Sequence, residues 1–136
     1  MITTYMANIE NNIMFGKRYS ADRIMGTFYI ALSTTPISSN GAGMTEPNDP
    51  NYSRIMILNN DINFTVSSGG VIKNSTEWRF PMSTKAWSPV THWAIMDSLS
   101  GGNMLYYDAV TAPINVDVHQ ELYFNPNSIV ITRSGV

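Results

Sequence analysis

The sequence contains no cysteine, so disulfide bonds and cysteine-ligated metal sites are excluded. Charged residues are also scarce, because they make up 13% of the chain where about a quarter is usual. The net charge is −2, and no block of basic residues occurs. Binding to a phosphate backbone needs clustered lysine and arginine, so we expect no nucleic-acid partner.

Long apolar runs are missing as well. No stretch approaches the ~18 consecutive apolar residues that a membrane-spanning helix requires. The N-terminal residues lack the basic start and the continuous apolar core of a secretory signal. We therefore expect no membrane partner, and synthesis in a cytoplasm.

The short motifs of serine hydrolases, nucleotide-binding loops, helical zinc sites and calcium loops do not occur in the sequence. The two histidines, His92 and His119, fall in separate predicted strands. A metal site would also need Asp97 or Asp117 to be brought in by the fold. We expect His92 to be an interior histidine that is hydrogen-bonded to a neighbouring hydroxyl or carbonyl. The sequence therefore predicts no metal, no cofactor and no enzyme activity.

An N-terminal amphipathic helix is predicted at residues 1–16. Tyr5, Ile9 and Ile13 recur every four residues, and Gly16 stands where helices commonly end. A short helix is marginal alone and needs a surface to pack against. Two interpretations of the apolar stripe stay open: packing on the chain's own sheet, or docking on a neighbouring subunit.

Residues 90–97 and 104–107 predict two antiparallel strands joined by a turn that contains Gly101, Gly102 and Asn103. Side chains alternate along a strand, and both faces of the first strand carry apolar residues. We therefore predict that it is central and covered on both sides.

The rest of the chain reads as short strands separated by glycine, proline and asparagine. Further strands are predicted at 27–33, 53–58, 62–66, 71–73, 76–80, 114–118, 122–124 and 129–132, with 109–113 as a connector. The last two strands are expected to form a closing hairpin. The pattern predicts a single all-β domain over residues 1–136, with an antiparallel β-sandwich resembling a jelly roll over residues 27–133.

The segment 34–52 is a long loop interrupted by three prolines. Structureless loops of this length are uncommon in compact domains and are usually functional or interfacial. We expect partner contacts here and on the helix. The candidate interface residues are Tyr5, Ile9, Ile13, Pro36, Pro47 and Tyr52.

Aromatic residues gather in and near the central strands. Trp87, Trp93, Tyr106 and Tyr107 could form a platform on which a sugar ring stacks. The alternative is that they fill the interior of the domain and its interfaces, as aromatic residues do in β-sandwiches.

Several segments, in this order, carry a resemblance to a known family. They are Thr4-Tyr-Met-Ala-Asn8, Phe28-Tyr-Ile-Ala-Leu-Ser-Thr-Thr-Pro36, Trp87-x-x-Val-Thr-His-Trp-Ala-Ile-x-Asp97 and Gly101-Gly-Asn-Met-Leu-Tyr-Tyr107. The chain resembles small bacteriophage virion structural proteins, usually labelled tail-fibre proteins. It departs from them at His119-Gln120 and at Asn127-Ser128, where the family tends to have glycine.

The resemblance implies a virion structural protein, made in the cytoplasm of the host bacterium. A lone domain without a fibrous repeat suits a capsid decoration (cement) protein that bridges capsid subunits. The implied partners are further copies of the chain, with a trimer as the expected order, and the major capsid protein or tail proteins. The alternatives are a tail-fibre or baseplate component and a module that binds host glycans.

Overall fold

A four-stranded antiparallel sheet is the central element of the computed structural model, which describes residues 1–16 and 25–132. The elements are α1 (Thr4–Met14), β1 (Thr27–Ser33), β2 (Ile55–Leu58), β3 (Val71–Lys73), β4 (Trp78–Arg79), β5 (Val90–Met96), β6 (Met104–Ile114), β7 (Tyr123–Phe124) and β8 (Val130–Thr132). The large sheet has the order β2-β1-β5-β6, and β3-β8 and β4-β7 form two small sheets. The predicted all-β class with one N-terminal helix is confirmed.

The helix begins at a cap that also joins it to the sheet. The Thr3 hydroxyl accepts a hydrogen bond from the Met6 amide at 3.2 Å and donates to the Met104 carbonyl at 2.7 Å. The Thr3 amide donates to the Leu105 carbonyl at 2.9 Å. The helix ends at Met14, Phe15 is its C-cap residue, and Gly16 follows with φ of +71°. Thr3 therefore caps α1 and attaches it to β6 at the same point.

The inner face of the large sheet carries the main core. Its buried members come from the large sheet, the small sheets and the segments between them. They include Ile30, Leu32, Trp78, Phe80, Trp93, Ile95, Leu105, Phe124 and Ile129. Aromatic rings meet edge to face, with the centroids of Phe64 and Trp78 5.6 Å apart. The two small sheets contribute to the same core through Trp78 and Phe124 of β4-β7, and Ile72 and Ile131 of β3-β8 pack against it.

The outer face of the large sheet is also covered. Ala94 and Met96 of β5 belong to a second buried cluster, against which Ile37 and Met44 of the 34–52 loop pack. The loop approaches closely at Gly41, where an added Cβ would lie 3.2 Å from the Met104 Cβ. The prediction that β5 is central and covered on both sides is confirmed.

Residues 109–118 correct the sequence interpretation. The predicted connector 109–113 belongs to β6, where it forms an irregularity between the pairs Val90–Ile114 and His92–Ala109. The predicted strand 114–118 does not form beyond Ile114. Val116 is buried, but its carbonyl accepts a single bond from the Trp87 amide rather than joining a ladder. The alternating pattern thus identified a buried valine and not a strand.

The closing hairpin was also predicted wrongly. β7 pairs with β4, and β8 pairs with β3. The buried side chain of Asn74 explains the arrangement, because it donates to the Asn125 carbonyl at 2.9 Å and accepts from the Ile129 amide at 2.8 Å. These bonds hold the turn between β7 and β8 against the end of β3.

The strand predicted at 62–66 is a turn with one isolated bridge at Phe64. The Asn60 side chain accepts from the amides of Ile62 and Asn63 at 3.1 and 3.0 Å, which closes the turn. The single domain 1–136 stays a prediction, and Arg133, the last residue of the predicted sandwich, lies outside the described residues.

Two turns adopt a backbone conformation that favours glycine. Among the described residues, His119 with φ of +59° and Asn127 with φ of +69° are the non-glycine residues at positive φ. They stand at the two places where the sequence departs from the glycines of the family it resembles. Asparagine tolerates this region well, whereas the histidine Cβ adds steric strain.

Replacing His119 with glycine should relieve that strain. We expect His119→Gly to raise the free energy of unfolding by about 0.5–1 kcal/mol, measured by urea denaturation. The matched variant His119→Ala keeps the Cβ and should remain close to the parent protein. Equal stabilisation by both variants would show that the imidazole ring, and not the backbone, is responsible.

Candidate interaction surfaces

The residues of the predicted apolar stripe on the N-terminal helix differ in exposure. Ile9 is 3% exposed, Met6 packs against the main core, and the Glu10 carboxylate accepts a hydrogen bond from the Tyr106 hydroxyl at 2.5 Å. Tyr5 and Ile13 remain 36% and 37% exposed. The helix is therefore fastened to β6 through Thr3 and Glu10, and Tyr5 and Ile13 stay partly exposed.

The C-terminal end of the helix adds exposed apolar residues that the sequence interpretation did not include. Met14 and Phe15 are both largely exposed. They follow Ile13 directly, so their signal in the sequence was three consecutive apolar residues at a helix end. Ile13 and Met14 themselves line a cavity of about 470 Å³ between α1 and the sheets, and its mainly apolar described lining also includes Met6 and Phe28.

The 34–52 loop is held in place by the buried carboxylate of Asp49. This carboxylate accepts hydrogen bonds from the Thr84 amide at 2.8 Å, the Thr84 hydroxyl at 2.5 Å and the Trp87 indole at 2.9 Å. It also accepts from the Asn51 amide at 2.9 Å. Burial alone would raise the pKa of Asp49, but these hydrogen bonds outweigh it and hold the pKa well below its ordinary value.

An ion pair between the buried Arg54 and the half-buried Glu46 fastens the same loop to the turn between β5 and β6. Arg54 donates to both carboxylate oxygens of Glu46, at 2.9 and 3.1 Å. The same guanidinium donates to the carbonyls of Ser98 and Gly101 at 2.7 and 2.8 Å. Each nitrogen of this planar group meets an oxygen, which is the arrangement that makes a buried arginine tolerable.

Tyr52 completes this anchor. Its hydroxyl accepts from the Leu32 amide at 3.1 Å and donates to Glu46 at 2.8 Å. Its ring stacks on Phe80 and meets Trp87 edge to face. Burial raises the pKa of the Tyr52 phenol, and the hydroxyl stays protonated as a donor.

The loop residues that were selected from the sequence therefore have different positions. Pro36 is exposed, Pro47 is buried and Tyr52 is half-buried in the anchor. The sequence interpretation missed Asp49 and Arg54. A signal for them existed, because charged residues are rare in this chain and these two lie in or beside a proline-rich stretch.

The four aromatic candidates do not form an open platform. Trp87, Trp93 and Tyr107 are buried, and Tyr106 is half-buried beneath the helix. Their rings contribute to the two buried clusters of the domain. The geometry of these four residues supports a packing role.

The titratable side chains that were considered for chemistry lie in separate local networks. His92 Nδ1 is 2.9 Å from the Thr91 hydroxyl, and Asp97 accepts from the Asn103 amide at 2.7 Å within the turn after β5. Within residues 1–16 and 25–132, no group of three His, Asp or Glu side chains could hold a metal ion. No helix in the same ranges is long and apolar enough to cross a membrane.

The Asp49 contacts predict an acid-dependent stability. Because the folded pKa lies below the ordinary value of 3.8, the charged carboxylate stabilises the fold above that value, and this contribution is lost as the pH falls through the folded pKa. Asp49→Asn should lower the thermal midpoint at pH ~7 and reduce its decline between pH ~5 and ~2.

The control is Asp61→Asn, because Asp61 is exposed and makes no side-chain hydrogen bond within the described residues. Thermal unfolding followed by circular dichroism across this pH range makes the comparison. Parallel pH profiles for the parent protein and Asp49→Asn would contradict the assigned role.

Comparison with known proteins bears on what these surfaces serve. A search of curated proteins gave no match. The sequence model of the family described as podophage GP4 fiber I protein gp80 matches residues 1–132, which is nearly the whole chain of 136 residues. The match includes the helix, the anchored loop and the central strands. This chain therefore belongs to the podophage GP4 fiber I protein gp80 family, and it is a phage structural protein of the tail-fibre type and a component of the virion.

Proposed function

We propose that this virion protein is a capsid decoration subunit that bridges and stabilises neighbouring capsid subunits. The observation that carries the proposal is that every strand in residues 1–16 and 25–132 pairs within the same chain. A subunit of this kind binds to a particle as a preformed block.

The contacts with capsid subunits would come from apolar surfaces that the fold leaves exposed. Tyr5, Ile13, Met14 and Phe15 present such a surface at the helix. Burying apolar area gives about 25 cal/mol per Å² and needs no chemical step. A protein that acts only by such burial has no need of catalytic groups, and membership of a phage fibre structural family points to the same non-enzymatic role.

Further copies of the chain, in a trimer, and the major capsid protein are the partners in this proposal. Closed cyclic symmetry is the usual arrangement of identical subunits. The anchored 34–52 loop supports such contacts, because Pro36 at its surface is carried on a segment fixed by Asp49 and Arg54. A surface that is already ordered loses little conformational entropy on binding.

A position in the tail, as a fibre or baseplate component, is the second candidate. The observation that favours it is the word "fiber" in the description of the matching family. Glycan binding through Trp87, Trp93, Tyr106 and Tyr107 has less support, because most of these rings are buried. A glycan role would require another surface.

Copy number in the particle separates the two positions. A decoration protein should be present at roughly hundreds of copies per virion because it follows the symmetry of the capsid, whereas a tail component should be present at no more than a few dozen. Quantitative mass spectrometry of purified virions, calibrated on a tail protein and on the major capsid protein, makes the measurement. A copy number in the tail range would reject the decoration role.

The exposed surface of the helix at Tyr5 and Ile13 can be tested directly. The double variant Tyr5→Ala and Ile13→Ala should fold, because Ile9 and the Thr3 cap remain in place, but it should be incorporated into particles about ten-fold less. Complementation of a phage lacking the gene, followed by mass spectrometry of the virions, measures incorporation.

Asn8→Ala is the matched control, since Asn8 is exposed on the same helix. Circular dichroism and thermal unfolding show whether each variant folds. An unfolded double variant would mean that these side chains serve the chain's own sheet. A folded variant that is incorporated normally would exclude this exposed surface as the attachment surface.

A further inference from the structure

The two edges of the large sheet differ in how they are covered. The edge of β6 is occupied by residues 1–3, since the amide of Tyr107 donates to the Met1 carbonyl at 2.9 Å and the amide of Thr3 donates to the Leu105 carbonyl at 2.9 Å. A bridge between Ile2 and Tyr106 continues this pairing. The outer edge of β2 has no strand beside it within the described ranges 1–16 and 25–132.

The Asn63 side-chain amide donates to the Leu58 carbonyl at 2.9 Å and so caps one end of the exposed edge. The rest of the edge lacks the features with which proteins usually protect edge strands. β2 has the sequence Ile55-Met-Ile-Leu58, with no charged residue, no proline and no bulge in its pairing with β1. Met56 is 61% exposed and Leu58 is 51% exposed. The neighbouring Arg54 does not protect the edge, because its guanidinium is buried against Glu46.

The apolar character of this edge continues a row that crosses the whole sheet. Met56 is opposite Tyr29, Tyr29 is opposite Met96, and Met96 is opposite Met104. We call these four residues the methionine row. Met96 and Met104, at the β6 end of the row, are buried under the 34–52 loop. Met56, at the β2 end, is exposed. A strand added beside β2 would extend both the hydrogen-bond ladder and this row.

We propose that the outer edge of β2 is a self-association site at which β2 of a second copy of this chain pairs antiparallel to it. Unpaired backbone donors and acceptors of an edge strand select another strand as occupant. Two copies of a neutral strand meet without charge repulsion, and a two-fold axis makes the contact self-complementary.

The symmetry restricts the register of the pair. A two-fold axis perpendicular to the sheet keeps outward side chains on the outward face, and residues that oppose each other in a ladder share a face. Met56 therefore opposes Met56 or Leu58 of the second copy. Ile55 and Ile57 of both copies stay on the inner face, where they already pack against the core.

The contact is small. Four residues are far fewer than the roughly 20–30 residues per side of a standard interface, so we expect association at high protein concentration, as on a particle with many copies. A two-fold contact cannot join the three members of a trimer to one another. In the proposed trimer it would instead connect neighbouring trimers.

Engineered cysteines test the pairing, because the natural chain contains none. The double variant Met56→Cys and Leu58→Cys should form a disulfide-linked dimer under mild oxidation, since opposed residues have Cβ atoms about 4.5–5.5 Å apart. The two single variants identify the register. A double variant with cysteines at Val66 and Leu99, which are comparably exposed and lie outside β2, is the control. The absence of a dimer, or equal cross-linking of the control, would overturn the proposal.

An association measurement gives an independent test. Sedimentation velocity over roughly 0.01–1 mM should show concentration-dependent association of the parent protein, as expected for an interface below standard size. Met56→Lys should weaken it at least ten-fold, and Leu99→Lys should not. A parent protein that stays monomeric, or association that is insensitive to Met56→Lys, rejects the site. Both tests use purified protein, so their outcome is independent of the position in the virion.

Discussion

Coverage of both faces of β5 is the constraint on which the rest of this structure depends. Its inner face is buried by the main core, and its outer face places Ala94 and Met96 where water must be excluded. No second large sheet covers that outer side in the described part of the chain, so the 34–52 loop has to do so. A long loop has few ladder hydrogen bonds of its own and must be held by other contacts.

Those contacts explain the unusual use of charge in this protein. Asp49 binds the loop to Thr84 and Trp87, and Arg54 joins Glu46 to the turn after β5. Each carboxylate or guanidinium accepts or donates several hydrogen bonds, so burial does not leave a charge unpaired. In a chain with few charged residues, Glu46, Asp49 and Arg54 serve to hold the loop on the sheet. The surface that remains is largely neutral, which suits contact with other protein subunits.

Much of the fold could be predicted from local sequence patterns. Helix α1 was identified by its apolar stripe, and the β5–β6 hairpin by alternation around a glycine turn, because both depend on neighbouring residues. The pairing of β7 with β4 and of β8 with β3 depends on Asn74, which lies some fifty residues away in the chain and gives no local signal. The same reason hid the role of Asp49, since its partners Thr84 and Trp87 lie 35 and 38 residues further along the chain. Alternation at 114–118 was misleading because Val116 is buried without a strand neighbour.

The methionine row has a chemical consequence at its two ends. Methionine sulfur is oxidised readily when it is accessible, and the sulfoxide is polar and chiral. Met96 and Met104 are shielded beneath the loop, whereas Met56 is open to solvent. Peroxide would therefore modify the rim of the sheet well before it reached the interior, and it would alter the contact surface of the subunit while the fold beneath remained intact.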